Sequence, residues 1–345
     1  MRPDSEADLA AMIRAANGTL SITGGATRLR PGEGQGARID MRGLSGITLY
    51  EPEALTLVVR AGTLLADVHK ALASEKQMLG FEPDPRPGST IGGVAASNAS
   101  GPRRVSAGAC RDAMIGLRMV TGSGEVIRNG GRVMKNVTGY DLVKLAAGSR
   151  GTLGALTEIA LKTAPVPPQR ATLRLSGLND PGAIAAMTVA LTGPFDVTGA
   201  GRLPDRTVIL RLEGLPGSVE YRASALRRAL TDRGDVQIVE GDADFRTLRD
   251  YPRTATAVLW RIVLRPSQAS QLLAGLPGRH AIDWGGALIW AEAAPGWQPD
   301  LPPGAQADAV AGTVQTLPAP DPVTARLNAA IRAEFDPRGL FAGGS

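Results

Sequence analysis

Pro87-Gly-Ser-Thr-Ile-Gly-Gly-Val-Ala-Ala-Ser-Asn-Ala-Ser-Gly-Pro-Arg-Arg104 interrupts an otherwise alternating apolar pattern with glycine and small polar residues. Glycine at this density lets backbone N–H groups approach a ligand without side-chain obstruction. Within it, Ser89-Thr90-Ile91-Gly92-Gly93 precedes a small-residue helix expected at Ile91–Ala96, so hydroxyl and amide donors can face an anion together. Ser97-Asn98-Ala99-Ser100-Gly101 follows, offering donors and acceptors with no bulk, which suits the edge of a flat ring. The bland alternative is a glycine-rich surface loop.

Two flanking segments have the same character. Upstream, Ile22-Thr-Gly-Gly-Ala-Thr-Arg28 runs a strand into two glycines, so Gly24, Gly25, Ala26 and Thr27 can aim several amides one way, the geometry that holds a pyrophosphate. A tight turn is the competing reading. Downstream, Asn136-Val-Thr-Gly139-Tyr140-Asp141 enters an apolar helix that stops at Gly148, and Gly151-Thr-Leu-Gly154 leads back to a strand containing Thr157. An extended ligand, flat in part and anionic in part, fits the set, and a dinucleotide has that form. Gly32-x-Gly34-x-Gly36 imitates a dinucleotide fingerprint, but the spacing differs and no helix follows, so it carries no weight.

Composition narrows the remaining classes. The 345 residues allow about two domains. The net charge of +5 is scattered, and with only 4% aromatics no basic stretch is interleaved with stacking rings, which argues against a nucleic-acid binder. One cysteine, Cys110, excludes a disulfide framework and a cysteine-held cluster, and two histidines, His69 and His280, do not make a multi-histidine metal centre; no metal site is expected. Met1-Arg-Pro-Asp-Ser-Glu has no apolar signal core, and no stretch reaches the roughly 18 apolar residues of a membrane helix. The expected location is the cytoplasm, with any contact at the inner face of the membrane made through partners.

Along the chain, Asp4–Ala16 reads as a helix capped by Ser5 or Asp4, and Thr19–Thr23, Ala37–Asp40, Gly46–Tyr50 and Leu55–Arg60 read as strands. Thr63 is placed to cap a helix running to Ser74. Met114–Thr121 and Glu125–Arg128 read as a hairpin across Gly122-Ser-Gly124, and Leu156–Thr163 as a further strand. Ala164-Pro-Val-Pro-Pro168 stiffens the chain and marks a boundary, giving domains 1–168 and 169–345. The second half reads strand 171–176, helix 181–192, strand 196–202, strand 206–212, helix 217–231, strand 235–239: the β-α-β-β-α-β order of a ferredoxin-like unit. A helix at 242–250, a strand at 255–264, a helix at 267–275 and an apolar pair at 280–292 suggest a partial repeat. Asp321–Phe335 closes the chain as a helix, with Asp321 as N-cap and Pro322 in its first position.

Taken together, Pro87–Gly101, Arg111–Gly124 and Asn136–Thr157 resemble the PCMH-type FAD-binding domain of the vanillyl-alcohol oxidase and p-cresol methylhydroxylase flavoproteins, over residues 1–168. Within it, Ser100-Gly-Pro-Arg-Arg, Val133-Met-Lys-Asn-Val-Thr-Gly-Tyr-Asp-Leu142 and Ile282-Asp-Trp-Gly-Gly-Ala-Leu288 resemble the E-type FAD-binding subunits of bacterial glycolate oxidases (glycolate dehydrogenases). The resemblance implies an α+β chain: a two-subdomain PCMH-type FAD-binding domain, then a ferredoxin-like antiparallel-sheet domain with a closing C-terminal helix. It implies non-covalent FAD, with the pyrophosphate at Gly24–Thr27. The flavin and ribityl chain would lie along Gly88, Ser89, Thr90, Ile91, Gly92 and Gly93 and then Ser97, Asn98, Ser100 and Gly101, with Gly139, Tyr140, Gly151, Gly154 and Thr157 completing the cradle. It further implies a complex that oxidises glycolate to glyoxylate with a larger flavin subunit and an iron–sulfur subunit. The alternative is a flavin-binding scaffold that only supports a larger catalytic partner.

Departures are visible. Arg150 stands where the family often has an acid, and the tail Gly339-Leu-Phe-Ala-Gly-Gly-Ser lacks the usual turn. Oxidising a 2-hydroxy acid needs a base for the hydroxyl proton, and neither histidine is well placed, so the catalytic base is left unassigned. Arg103 and Arg104 can bind a substrate carboxylate or be solvated, and His280, near Asp283 and Trp284, is a further substrate or interface candidate.

Overall fold

Ser5 stops the chain from fraying at the first helix: its hydroxyl accepts the Asp8 amide at 3.1 Å, and Glu6–Ala15 then buries Leu9, Ala10 and Ile13. The computed structural model describes residues 1–131, 140–253, 257–311 and 321–341. These divide into two compact units. The first holds residues 1–100 and 108–166 together with the C-terminal segment from 319, and the second holds 101–107 and 167–318.

In the first unit, Leu20–Thr23 pairs in parallel with Ala37–Asp40, Leu20 opposite Ala37 and Thr23 opposite Asp40. A five-stranded antiparallel sheet runs Ile47–Glu51, Thr56–Arg60, Ala155–Lys162, Met114–Val120, Val126–Gly130 in spatial order. Leu57, Val59, Met119, Ile159 and Leu161 alternate onto one face, and Leu65–Ser74, Ile91–Ala96 and Leu142–Ala146 pack their apolar residues there. Each fully buried large apolar side chain contributes roughly 1.5–3 kcal/mol to that layer. The helix expected from Thr63 begins one residue later, capped at Leu64, because the Thr63 hydroxyl is already spent: it donates to the Arg60 carbonyl at 2.7 Å and accepts the Gly46 amide at 2.9 Å.

The closing helix Pro322–Phe335 has the expected Asp321 cap, whose carboxylate accepts from Val323 and Thr324. It was expected to finish the second domain, yet its end joins the first unit. The Gly122 amide donates to Phe335, the Leu20 amide donates to Leu340, and Leu340 and Phe341 are buried with Leu9, Ile13 and Leu20. Burial of that apolar pair overrides chain order.

The second unit is one eight-stranded antiparallel sheet. Its first half, Gln169–Ser176, Asp180–Thr192, Val197–Arg202, Val208–Gly214, Pro216–Leu230 and Asp235–Glu240, has the ferredoxin-like order, with the strands arranged fourth, first, third, second. The suspected repeat is real. Val258–Val263, Pro266–Ala274, His280–Asp283, Leu288–Ala293 and Gln306–Ala311 repeat the order without a second helix, and the two halves join through their second strands at Arg202 and Ile282. Three helices cover one face over Leu173, Leu210, Trp260 and Ile289; Ala243–Asp250 covers part of the other over Ile209, Leu259 and Ala281. Mixed helix and antiparallel sheet is therefore the fold class, as expected.

Candidate functional site

The turn after Leu20–Thr23 is held from behind. Arg38 reaches the Gly24 carbonyl at 3.4 Å and the Thr23 hydroxyl at 2.7 Å, while Arg86 takes the Thr27 carbonyl at 2.7 Å. Ala26 adopts φ +54°, a left-handed conformation that re-aims its neighbours. Among the described residues, the amides of Gly25, Ala26 and Thr27 donate to no backbone carbonyl. Carbonyls engaged by arginines beside amides without a backbone acceptor suit the binding of an anion.

The second wall is the segment around Ile91–Ala96. Thr90 caps this short helix, its hydroxyl accepting the Gly93 amide at 3.3 Å. A Cβ on Gly25 would collide with the Gly88 carbonyl oxygen, and one on Gly24 with the Thr90 hydroxyl. Glycine at these two positions is what lets the two walls close on each other. Gly93 differs: a Cβ there would meet only Thr90 Oγ1, at 3.4 Å, and would otherwise enter open space.

That space is an open trough on the surface of the first unit. Gly24, Gly25, Ala26, Thr27, Thr90, Gly93 and Ser97 line it, joined by Arg28, Glu33 and Arg150. It continues into a lobe along Met41, Ala61, Gly92, Gly151, Gly154 and Leu156, with Ile22, Gly24, Thr90, Gly93, Ala96 and Arg150 common to both. The glycine segments that lie far apart in sequence thus meet in one place.

Arg150 closes one side. Its amide donates to the Ala96 carbonyl at 2.8 Å, its own φ is +56°, and its guanidinium grips both Glu33 oxygens, at 2.5 and 2.6 Å. A third bond reaches the Arg28 carbonyl at 2.6 Å. Burial pushes the Glu33 carboxyl up, but the bonds and charge of Arg150 and the Arg30 amide together hold it below the usual range. Behind the trough, Arg28 and Arg86 both pair with Asp84, and Arg28 donates to the Ser89 hydroxyl at 3.2 Å. Asp84, too, stays below its usual value although burial opposes it.

Other expected residues have supporting places. Ile91 is fully buried in the core, Gly88 turns the chain at φ +74°, and Thr157 donates to Glu6 at 2.6 Å. Asn98, at φ +47°, accepts the Arg111 amide and Ser100 accepts the Cys110 amide, both at 2.9 Å. Tyr140 is 90% exposed, and Gly139 lies outside the described residues. Gly101, Arg103, Arg104 and His280 belong to the second unit. There Arg103 is buried and bonds Glu213 at 2.6 Å, while Arg104 lies over the Trp284 ring, 4.2 Å from its centre. His280 Nε2 faces Arg202 at 2.8 Å, and burial, then the Arg202 charge, hold its pKa down; the neutral ring accepts from the guanidinium. Arg202 also pairs with Asp180.

The reading from sequence missed Arg28, Glu33 and Arg150 as wall residues. Gly32, Gly34 and Gly36, set aside as a failed fingerprint, all take positive φ and form the loop that delivers Glu33. The departure at Arg150 was the available signal.

A family model described as an FAD binding domain matches residues 1–130. The glycolate oxidase subunit GlcE of Escherichia coli (strain K12) is 40% identical over 264 residues, covering 76% of this chain and 71% of that protein. The glycolate oxidase subunit GlcD of Bacillus subtilis (strain 168) is 34% identical over 207 residues, covering 59% of this chain and 42% of that one. Among solved structures, an alkyldihydroxyacetonephosphate synthase superposes with a TM-score of 0.71 at 14% identity, covering 99% of this chain and 76% of its own, a likeness of fold. The chain belongs to the family of FAD-dependent oxidoreductases that includes the glycolate oxidase subunit GlcE.

Proposed function

We propose that this chain carries FAD, held without a covalent bond, in the trough of its first unit and works as the FAD-binding subunit of a glycolate oxidase complex. The observation that carries the reading is the turn Gly24–Thr27, whose amides at 25–27 have no backbone acceptor among the described residues and which lines a trough that a single Cβ at Gly93 would narrow. The amides of Gly25, Ala26 and Thr27 hold the pyrophosphate, and the lobe past Gly92, Gly151 and Gly154 takes the flatter part of the cofactor, where small residues leave room for a ring.

When bound, FAD supplies the acceptor for the hydride removed from the hydroxyl-bearing carbon of glycolate, giving glyoxylate. The chain's own part is to bind and orient. Arg150 and Glu33 fix the loop that borders the trough, and the Arg28–Asp84–Arg86 network stiffens its floor. Electrons then leave through partners: a larger flavin subunit and an iron–sulfur subunit. Any membrane contact is made by those partners; among the described residues no helix is long and apolar enough to cross a membrane.

Titrating the purified chain with FAD tests the reading. Saturable binding with one flavin per chain is expected, and a chain that takes up no flavin removes the proposal. Anaerobic addition of glycolate to the flavin-loaded chain and to the co-purified complex separates a catalytic subunit from a supporting scaffold. Bleaching in the isolated chain assigns the chemistry here; bleaching only in the complex assigns it to the partner.

A further inference from the structure

Arg150 stands on a stretch of backbone suited to glycine. Its φ of +56° falls between Gly148 at +88° and Gly151 at +82°, in the left-handed region that a residue with a Cβ disfavours. A long side chain persists there only where its contacts hold it. Here two sets of contacts do. The Arg150 amide is fixed to the Ala96 carbonyl at 2.8 Å, and the guanidinium reaches Glu33 and the Arg28 carbonyl. All four residues belong to the first unit.

The guanidinium is only partly engaged. Of its five N–H groups, that of Nε donates to Glu33 Oε1 at 2.5 Å, and those of Nη2 serve Glu33 Oε2 and the Arg28 carbonyl, each at 2.6 Å. Among the described residues Nη1 has no hydrogen-bond partner, which leaves both of its N–H groups for a ligand. Arg150 lines the trough and its adjoining lobe alike. Arg28 is the other cation on the trough wall, and each of its nitrogens already donates, to Asp84 or to Ser89. The Glu33 carboxylate is likewise engaged, accepting the Arg30 amide at 2.9 Å besides the two Arg150 nitrogens.

We propose that Arg150 is a ligand of the cofactor's pyrophosphate, supplying the charge-assisted donors that the neutral amides of Gly25, Ala26 and Thr27 lack. Glu33 is its positioning residue: the bidentate fork locks the guanidinium plane and leaves Nη1 for the anion. This rests on the flavin reading above. The strain at Arg150 is retained because glycine, which the backbone prefers, carries no charge.

Fluorescence titration of the apo chain with FAD, over a range of salt, tests the assignment without any turnover. Arg150→Gly fits the backbone and keeps the fold, yet loses FAD affinity roughly 10- to 100-fold at low salt. Its remaining affinity also varies less with salt than that of wild type. Arg150→Lys, charged but without the fork, falls between the two. Glu33→Gln moves the other way: its amide oxygen still accepts from Arg150 while the opposing negative charge is gone, so FAD binds severalfold tighter. Weakening in Glu33→Gln as large as that in Arg150→Gly marks a clasp that merely pins the loop, and overturns the proposal. Wild-type affinity in Arg150→Gly overturns it too. Inorganic pyrophosphate in excess separates this assignment from the flavin reading, since it raises the thermal midpoint of the wild-type apo chain and not that of Arg150→Gly. A wild type that responds to pyrophosphate but takes up no FAD defeats the flavin reading and leaves Arg150 an anion ligand.

Discussion

Replacing Gly93 by alanine separates the fold from the proposed cofactor site. The position is helical, so Gly93→Ala removes excess backbone freedom and adds up to about 1 kcal/mol to the stability of the apo chain. The new methyl meets Thr90 Oγ1 at an ordinary 3.4 Å and otherwise enters the trough, where Gly93 lines both lobes. Crowding a fitted ligand by one methyl costs roughly 1–3 kcal/mol, which is about 5- to 150-fold in dissociation constant. Thermal unfolding with and without FAD measures both effects in one assay. At FAD 100-fold above its wild-type dissociation constant, the wild-type chain gains about 2.7 kcal/mol from binding, and a tenfold weaker variant gains about 1.4 kcal/mol. The expected pattern is an apo variant as stable as wild type or more so, with a cofactor-induced increment cut to about half. An undiminished increment with full affinity would refute the placement of the cofactor against this wall. Loss of the apo fold would refute the claim that the position is free to accept a methyl.

Two more outcomes follow from the same geometry. Glu33→Gln removes the charge from a bidentate pair with Arg150 and lowers stability at neutral pH by about 1.5–3 kcal/mol, measured by urea unfolding. Because the folded-state pKa of Glu33 lies below its usual 4.5, this contribution is present above that value and is lost as pH falls through the lower one; the wild-type and variant curves converge in acid, and a gap that widens there contradicts the pairing. Cys110 is fully buried, and burial pushes its thiol up to about 12 against the opposing charges of Arg28 and Lys144. It therefore resists alkylation in the native chain at pH 8 and reacts on unfolding, and rapid native labelling would place it outside the core.

Where a local rule decides the conformation, the chain is legible from its residues. Ser5, Thr90 and Asp321 cap helices as such residues do, and the strand–helix alternation from 169 to 240 yields the ferredoxin-like order without reference to contacts. The glycine segments are also legible as a group, because Gly25 answers to the close approach of the Gly88 carbonyl and Gly24 to that of the Thr90 hydroxyl rather than to a turn alone. What stays hidden depends on long-range pairing. Thr63 resembles a cap until Gly46, 17 residues earlier, donates to its hydroxyl. Glu33 and Arg150 are separated by 117 positions, and nothing local distinguishes their ion pair from solvated charges. The burial of Leu340 and Phe341 beside the first helix is likewise a property of the packed unit, invisible in a C-terminal tail that reads as an appendage.

The join between the halves of the large sheet has a consequence for its origin and its handling. Each half ends laterally in its second strand, and the two edges run antiparallel across a narrow seam at Arg202 and Ile282. That arrangement is self-complementary in the way a two-fold dimer is, so the sheet has the form of a homodimer fused into one polypeptide. Cutting the chain between Asp250 and Val258 would not yield a smaller well-behaved monomer. It would bare a raw strand edge on each fragment, and each would seek a copy of itself.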